Sequence, residues 1–168
     1  MKPLVLIDFD GVINAVAQQH WQKAWKDMTE DTFVDRRGYN IPVNFSPTLV
    51  EFINILSNVA DIEWLTTWKR DTELLPAQIG INVFPWHDEI HKGPPWGEEW
   101  WKFDVVKKIA AENPGRKVLW IDDDIPPNSW EPERLFLFRN VLWETIVPRE
   151  DTGLTPAHCE SIIEFVSK

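Results

Sequence analysis

The stretch Pro3-Leu4-Val5-Leu6-Ile7-Asp8-Phe9-Asp10-Gly11-Val12 decides how the rest of the chain is read. From Leu4 to Asp8 it reads as a strand buried in a parallel sheet, with an unbroken apolar run rather than polar alternation. It ends abruptly in two carboxylates, Asp8 and Asp10. A carboxylate at the tip of a buried strand is costly unless a cation or a reaction needs it there, and open α/β sheets bind ligands at that edge. Alternate side chains of an extended segment point the same way, so both acids can face one crevice. Gly11 allows a sharp turn. The alternative at this point is a strand followed by an ordinary acidic turn, since Asp and Gly are turn residues too.

Around this stretch, the 168 residues fit one domain spanning 1–168, with length enough for a core of its own. The formal charge is -10, and the basic residues fall in scattered pairs such as Arg36-Arg37 and Lys107-Lys108. No basic stripe runs along the chain, which argues against strong duplex nucleic-acid binding but not against acting on one terminal phosphate. Cys159 stands alone, so no internal disulfide forms and a reducing compartment fits. Asp8 breaks the first apolar run too early for a signal peptide, and no run suits a membrane span. The expectation is a soluble cytoplasmic protein. Most of the eleven tryptophans are expected in the core, with a few lining a site.

Residues 14–45 form an insertion directly after the acidic strand. Ala17, Trp21, Trp25 and Met28 fall on one helical face, and Asp35 to Asn40 reads as a loop or hairpin tip. The insertion is expected either to hang over the site as a flap or to pack onto the body through its tryptophans. A stacking surface for a nucleobase is the sharper possibility. Ser46-Pro47 then starts a helix with an N-cap and a proline at its first position, and Leu49, Phe52, Ile53 and Leu56 form its apolar face.

Ile62 to Leu65 is a second strand ending in Thr66 and Thr67, whose hydroxyls suit either an anion or the cap of the next helix. That helix is expected from Asp71, interrupted near Pro76, with a third strand over Ile81 to Phe84. His87 and His91 are four apart, but not in the order of a zinc helix, and are expected to be solvated loop residues. A helix over Glu98 to Glu112 buries Trp101, Val105, Val106 and Ile109. Lys102 in its first turn opposes the helix dipole unless an anion lies close by. Lys117 to Ile121 is the fourth strand and ends in Asp122-Asp123-Asp124, three acids whose repulsion a divalent cation would relieve. Strands over 135–138 and 141–147 follow. Thr155-Pro156 starts a last helix with Ile162, Ile163 and Val166 inward. The alternation gives an α/β protein with a mainly parallel sheet.

Asp8/Asp10, Thr66, Lys102 and Asp122/Asp123 thus follow one another at strand tips and a helix start. In this order they resemble the four motifs of the haloacid dehalogenase (HAD) superfamily: D-x-D-G-[TV], a strand ending in Thr or Ser, a Lys, and a strand ending in D-D. The resemblance spans nearly the whole chain. Trp64-Leu65-Thr66-Thr67-Trp68, Ile79-Gly80-Ile81, Trp101-Lys102, Trp120 to Asp124 and Gly153-Leu154-Thr155 look most like the small capless HAD domains of the Swiss Army Knife RNA-repair type. The resemblance implies a three-layer Rossmann-like sandwich without a large cap domain.

It also implies a phosphatase. Asp8 would be the nucleophile that forms an aspartyl-phosphate, and Asp10 the general acid and base. Thr66 and Lys102 would hold phosphate oxygens. Mg²⁺ would be held by Asp8, the main-chain carbonyl of Asp10, Asp122 and Asp123. Asp124 is the reserve for Asp123, and Thr67 and Lys69 are those for Thr66 and Lys102. The second acid, Asp10, points to an oxygen leaving group and hence to a phosphate ester. Without a cap the site is open, which suits a nucleotide, a nucleic-acid end or another bulky phosphorylated substrate as well as a small molecule. Two alternatives use the same residues: a non-catalytic binding or regulatory module, and a phosphotransferase with an acceptor other than water.

Overall fold

The structure is a computed structural model, and it describes residues 1–16, 24–88, 101–125 and 143–168. At its centre β1 (Leu4–Ile7) lies between two parallel neighbours, β4 (Asp61–Trp64) and β5 (Val118–Ile121). Beside β5 runs β6 (Trp143–Ile146), so the all-parallel sheet has the order β4-β1-β5-β6. All four residues of β1 are buried, which accounts for its lack of polar alternation. The sheet is flanked by helices. Val5 and Ile7 pack with residues of α1 (Pro47–Leu56) and α4 (Pro156–Ser167), while Leu4 and Leu6 pack with α3 (Trp101–Glu112). Among the described residues, no helix is long and apolar enough to cross a membrane.

The register sets the height of the strand tips. Ile7 is opposite both Trp64 and Ile121, so Asp8 is level with Leu65 on one side and Asp122 on the other. The next hydrogen bonds continue the ladder: Asp8 N donates to Ile121 O at 3.0 Å and Leu65 N to Ile7 O at 2.9 Å. Polar residues that follow three separate apolar runs therefore emerge side by side.

Both anticipated helix caps form. The Ser46 hydroxyl accepts from Leu49 N at 3.1 Å, and Thr155 caps α4 in a reciprocal pair with His158. Leu49, Ile53 and Leu56 of α1 are buried as expected, as are Val105, Val106 and Ile109 of α3. The start of the α3 helix, 98–100, and the expected strand over 135–138 lie outside the described residues.

Four expectations need correction. Ile81 to Phe84 is not a strand. Its Asn82 N–H donates to the Asn54 side chain at 2.7 Å, and only Trp86 bridges to Trp64. Pro76 does not interrupt a helix. It opens α2 (Leu75–Ile79), which follows a 3-10 turn over Lys69–Leu74, because a proline needs no backbone donor in a first helical turn. Ile163 is 51% exposed, and Cys159 and Phe165 face the core beside Ile162 instead. Finally, 24–28 is turn and bend, so Trp25 and Met28 share no helical face, while Ala17 and Trp21 lie outside the described residues.

The later part of the insertion is an antiparallel hairpin of β2 (Thr29–Val34) and β3 (Asn40–Phe45). The Asp35 side chain closes its tip by accepting from Arg37 N and Tyr39 N at 2.9 and 2.7 Å. The hairpin packs onto the body. Phe33 is buried against Trp68, the Gln78 amide bonds both main-chain groups of Val34, and Arg36 pairs with Glu73. The Trp25 indole donates to Leu154 O at 2.7 Å.

Candidate active site

Asp8, Asp122 and Asp123 each offer an oxygen within 4.8 Å of the others, the one such group of three or more among the described residues. Asp8 and Asp122 are buried and Asp123 is half-buried. The Asp8 Oδ1 accepts from Phe9 N at 2.6 Å, and Asp122 Oδ1 accepts from Asp124 N at 3.0 Å. The outward oxygens share one cation. The Lys102 ammonium donates to Asp8 Oδ2, and to Asp122 Oδ2 at 2.6 Å. This is the anion that a lysine at the start of α3 requires.

The electrostatics follow from burial and count of charges. Burial alone would depress Lys102, but Asp8 and Asp122 together outweigh it and raise its pKa. Asp122 is pushed up to about 7, first by burial and then by Asp8, against the opposing pull of Lys102. Burial, with Asp8 adding to it, pushes Asp123 up to about 6. Among the described residues, three acids around one ammonium leave a net negative pocket, and the raised pKa values of Asp122 and Asp123 mean that the folded chain resists this charge. Three carboxylate oxygen donors at such spacing could hold a hard divalent cation.

Asp10 lies apart from Lys102 in its bonding. Its Oδ2 accepts from the Trp68 indole at 2.7 Å and its Oδ1 from the Asn14 amide at 2.7 Å. Burial raises its pKa, and those two hydrogen bonds offset the rise only in part. Thr66 is buried one residue beyond the tip of the β4 ladder, with Trp68 N donating to its hydroxyl at 3.3 Å. Its hydroxyl therefore serves the turn that follows.

The reserves separate clearly. Asp124 and Thr67 are exposed, whereas Asp123 joins the acidic group and Thr66 is buried. Lys69, in a left-handed conformation at φ 45°, lies 3.8 Å from Asp88 and over the Trp101 ring, and does not reach Asp8. His87 pairs with Glu63 at 2.9 Å rather than being simply solvated, and His91 lies outside the described residues.

One residue near the site, Asn14, escaped the sequence reading, and a second, Gly153, entered it only within the matched piece Gly153-Leu154-Thr155. Asn14 binds Asp10 and also accepts from Asn44 N at 2.7 Å, tying the acidic turn to β3. Gly153, at φ 64°, packs so closely that a Cβ there would lie 2.5 Å from Val12 O. The spacing of Asn14, four after Asp10, was the available signal. Compared with known proteins, the chain matches no family model and no curated protein.

Proposed function

We propose that this protein is a Mg²⁺-dependent phosphohydrolase that cleaves a phosphate monoester through an aspartyl-phosphate on Asp8, as a HAD-like three-layer domain. The observation that carries this reading is the meeting of buried Asp8 with Asp122, Asp123 and Lys102 at the tips of adjacent parallel strands. Nothing in the packing of a sheet calls for such a charge cluster, whereas phosphoryl transfer needs a nucleophile and fixed positive charge together.

In this mechanism an Asp8 carboxylate oxygen attacks phosphorus and the ester P–O bond breaks. Asp10 gives its proton to the departing oxygen. Water then attacks the phosphorus of the acyl phosphate, Asp10 takes the water proton, and phosphate leaves with Asp8 restored. The raised pKa of Asp10 suits a group that must hold a proton before giving it up. Lys102 and Thr66 bind the non-bridging phosphate oxygens. Asp8, the Asp10 carbonyl, Asp122 and Asp123 would hold Mg²⁺, which would supply positive charge against the repulsion between a phosphate dianion and a carboxylate.

Nucleotide and nucleic-acid end phosphates are candidate substrates, consistent with an RNA-repair role. The buried single thiol of Cys159 accords with a cytoplasmic setting. The test is Mg²⁺-dependent phosphate release by wild type and Asp8→Asn across sugar phosphates, nucleotides, end-phosphorylated oligonucleotides and a phosphopeptide. Turnover abolished by chelator and by Asp8→Asn is expected. Activity that survives in Asp8→Asn would overturn the mechanism.

A further inference from the structure

We infer that Trp68 is the positioning residue of Asp10 and that the β2–β3 hairpin, through Phe33, holds Trp68 in place for that task. This inference rests on the hydrolase reading, which gives Asp10 a proton to transfer. The Trp68 indole N–H reaches Asp10 Oδ2 at 2.7 Å from a site 58 positions away in the chain. An indole nitrogen donates and cannot accept, so Trp68 can orient the carboxyl group but cannot compete for its proton. With Asn14 on the other oxygen, both carboxyl oxygens are fixed, and each retains lone-pair capacity toward a substrate.

The ring itself has little freedom. Phe9 and Phe33 meet it edge-on, with both centroid distances 4.6 Å and interplanar angles of 64° and 67°. Phe9 is the residue between the two acids, and Phe33 comes from β2. Both are buried. The hairpin is in turn fastened by Gln78 and by Arg36 on Glu73, within the segment that follows Trp68. Trp68 N also donates to Thr66 Oγ1, so one residue sets the positions of a candidate phosphate contact and the acid. A tryptophan needed only to fill space would have no use for its N–H at a carboxylate, and phenylalanine separates the two roles.

The test uses the full chain with Trp68→Phe and Asp10→Asn. Indole N–H signals are recorded in ¹H–¹⁵N spectra, with Trp68 assigned as the signal lost in Trp68→Phe. Mg²⁺-dependent hydrolysis is compared on an alkyl phosphate and on p-nitrophenyl phosphate. Asp10→Asn should move the Trp68 indole signal. Trp68→Phe should lower kcat on the alkyl ester by about tenfold to a hundredfold and leave KM within about twofold, since phenylalanine keeps the main-chain N–H on Thr66. The loss should be smaller on p-nitrophenyl phosphate, whose leaving group needs little protonation. An equal loss on both esters, or an indole signal unmoved by Asp10→Asn, would overturn the assignment. Wild-type protein silent on every ester would instead remove the hydrolase reading. The spectra would still judge the Trp68–Asp10 contact, because they require no turnover.

Discussion

The carboxyl group of Asp123 rests against the Cα of Gly11, so closely that a Cβ at Gly11 would lie 2.2 Å from Asp123 Cγ. Gly11 also has φ 67°, a left-handed backbone that costs a non-glycine residue about 1–2 kcal/mol. Two constraints of different kind thus meet at the turn after the acidic strand. The conformational cost falls on stability, while the contact falls on the acidic group proposed to hold the cation.

Gly11→Ala should therefore lose about 1–2 kcal/mol of stability and, separately, most of its Mg²⁺ affinity, because Asp123 must swing out of the acidic group. Calorimetric titration with Mg²⁺, on protein shown by denaturant melts to be folded, separates the two effects. Unaltered Mg²⁺ affinity in a folded Gly11→Ala protein would remove Asp123 from the cation site.

Lys102→Met leaves Asp8 and Asp122 buried without their shared counter-ion. Breaking a buried pair in this way costs about 3–5 kcal/mol, and Mg²⁺ should recover much of it, at about 2.7 kcal/mol when the free ion is a hundredfold above its Kd. The expected result is a lowered Tm that rises more with Mg²⁺ than the wild-type Tm does. Equal Mg²⁺ shifts in the two proteins would contradict the placement of Lys102 between the carboxylates.

Gly153→Ala should be more damaging than Gly11→Ala. Its added Cβ would meet the main-chain oxygen of Val12 at 2.5 Å, and that oxygen already accepts from Leu154 N at 2.8 Å. A carboxyl group can rotate away but a backbone carbonyl cannot. Urea midpoints of the two variants settle the order, which would be reversed if the 149–154 turn could shift as a unit.

His158 makes the cap of α4 sensitive to pH. Its Nδ1 accepts from Thr155 N at 3.1 Å, which only a neutral ring can do, and burial holds its pKa below the usual value of about 6.5. As pH falls from 6.5 through the depressed folded value, the unfolded chain takes up a proton that the folded chain resists. The contribution is thus complete above 6.5 and lost below it. Glutamine at this position keeps an acceptor for the cap without titrating. The Tm difference between His158→Gln and wild type should be constant above pH 7.5 and move in favour of the variant toward pH 5. A constant difference across the range would show that the ring does not titrate in the cap.

Much of this architecture is visible locally, because local physics determines it. The apolar run of β1, the Ser46 and Thr155 caps and the buried face of α3 each depend on residues within a turn or a strand of one another. The candidate acids could be singled out for the same reason, since charge directly after an apolar run is a local anomaly. Ile81 to Phe84 misled because its apolar residues fit a strand equally well. Whether it joins the sheet depends on its main-chain donors, and Asn82 gives its own to Asn54.

What the chain alone could not decide are relationships between distant positions. The register of Ile7 with Ile121 brings Asp8 beside Asp122, and the packing of α3 drives Lys102 between them. Among three consecutive acids, composition offers no means of choosing; burial of Asp122, contact of Asp123 with Gly11 and exposure of Asp124 make the choice. Sequence determined which residues are out of place in a hydrophobic core. Tertiary structure decided which of them share one space, because register and helix packing are set by the whole core rather than by neighbours along the chain.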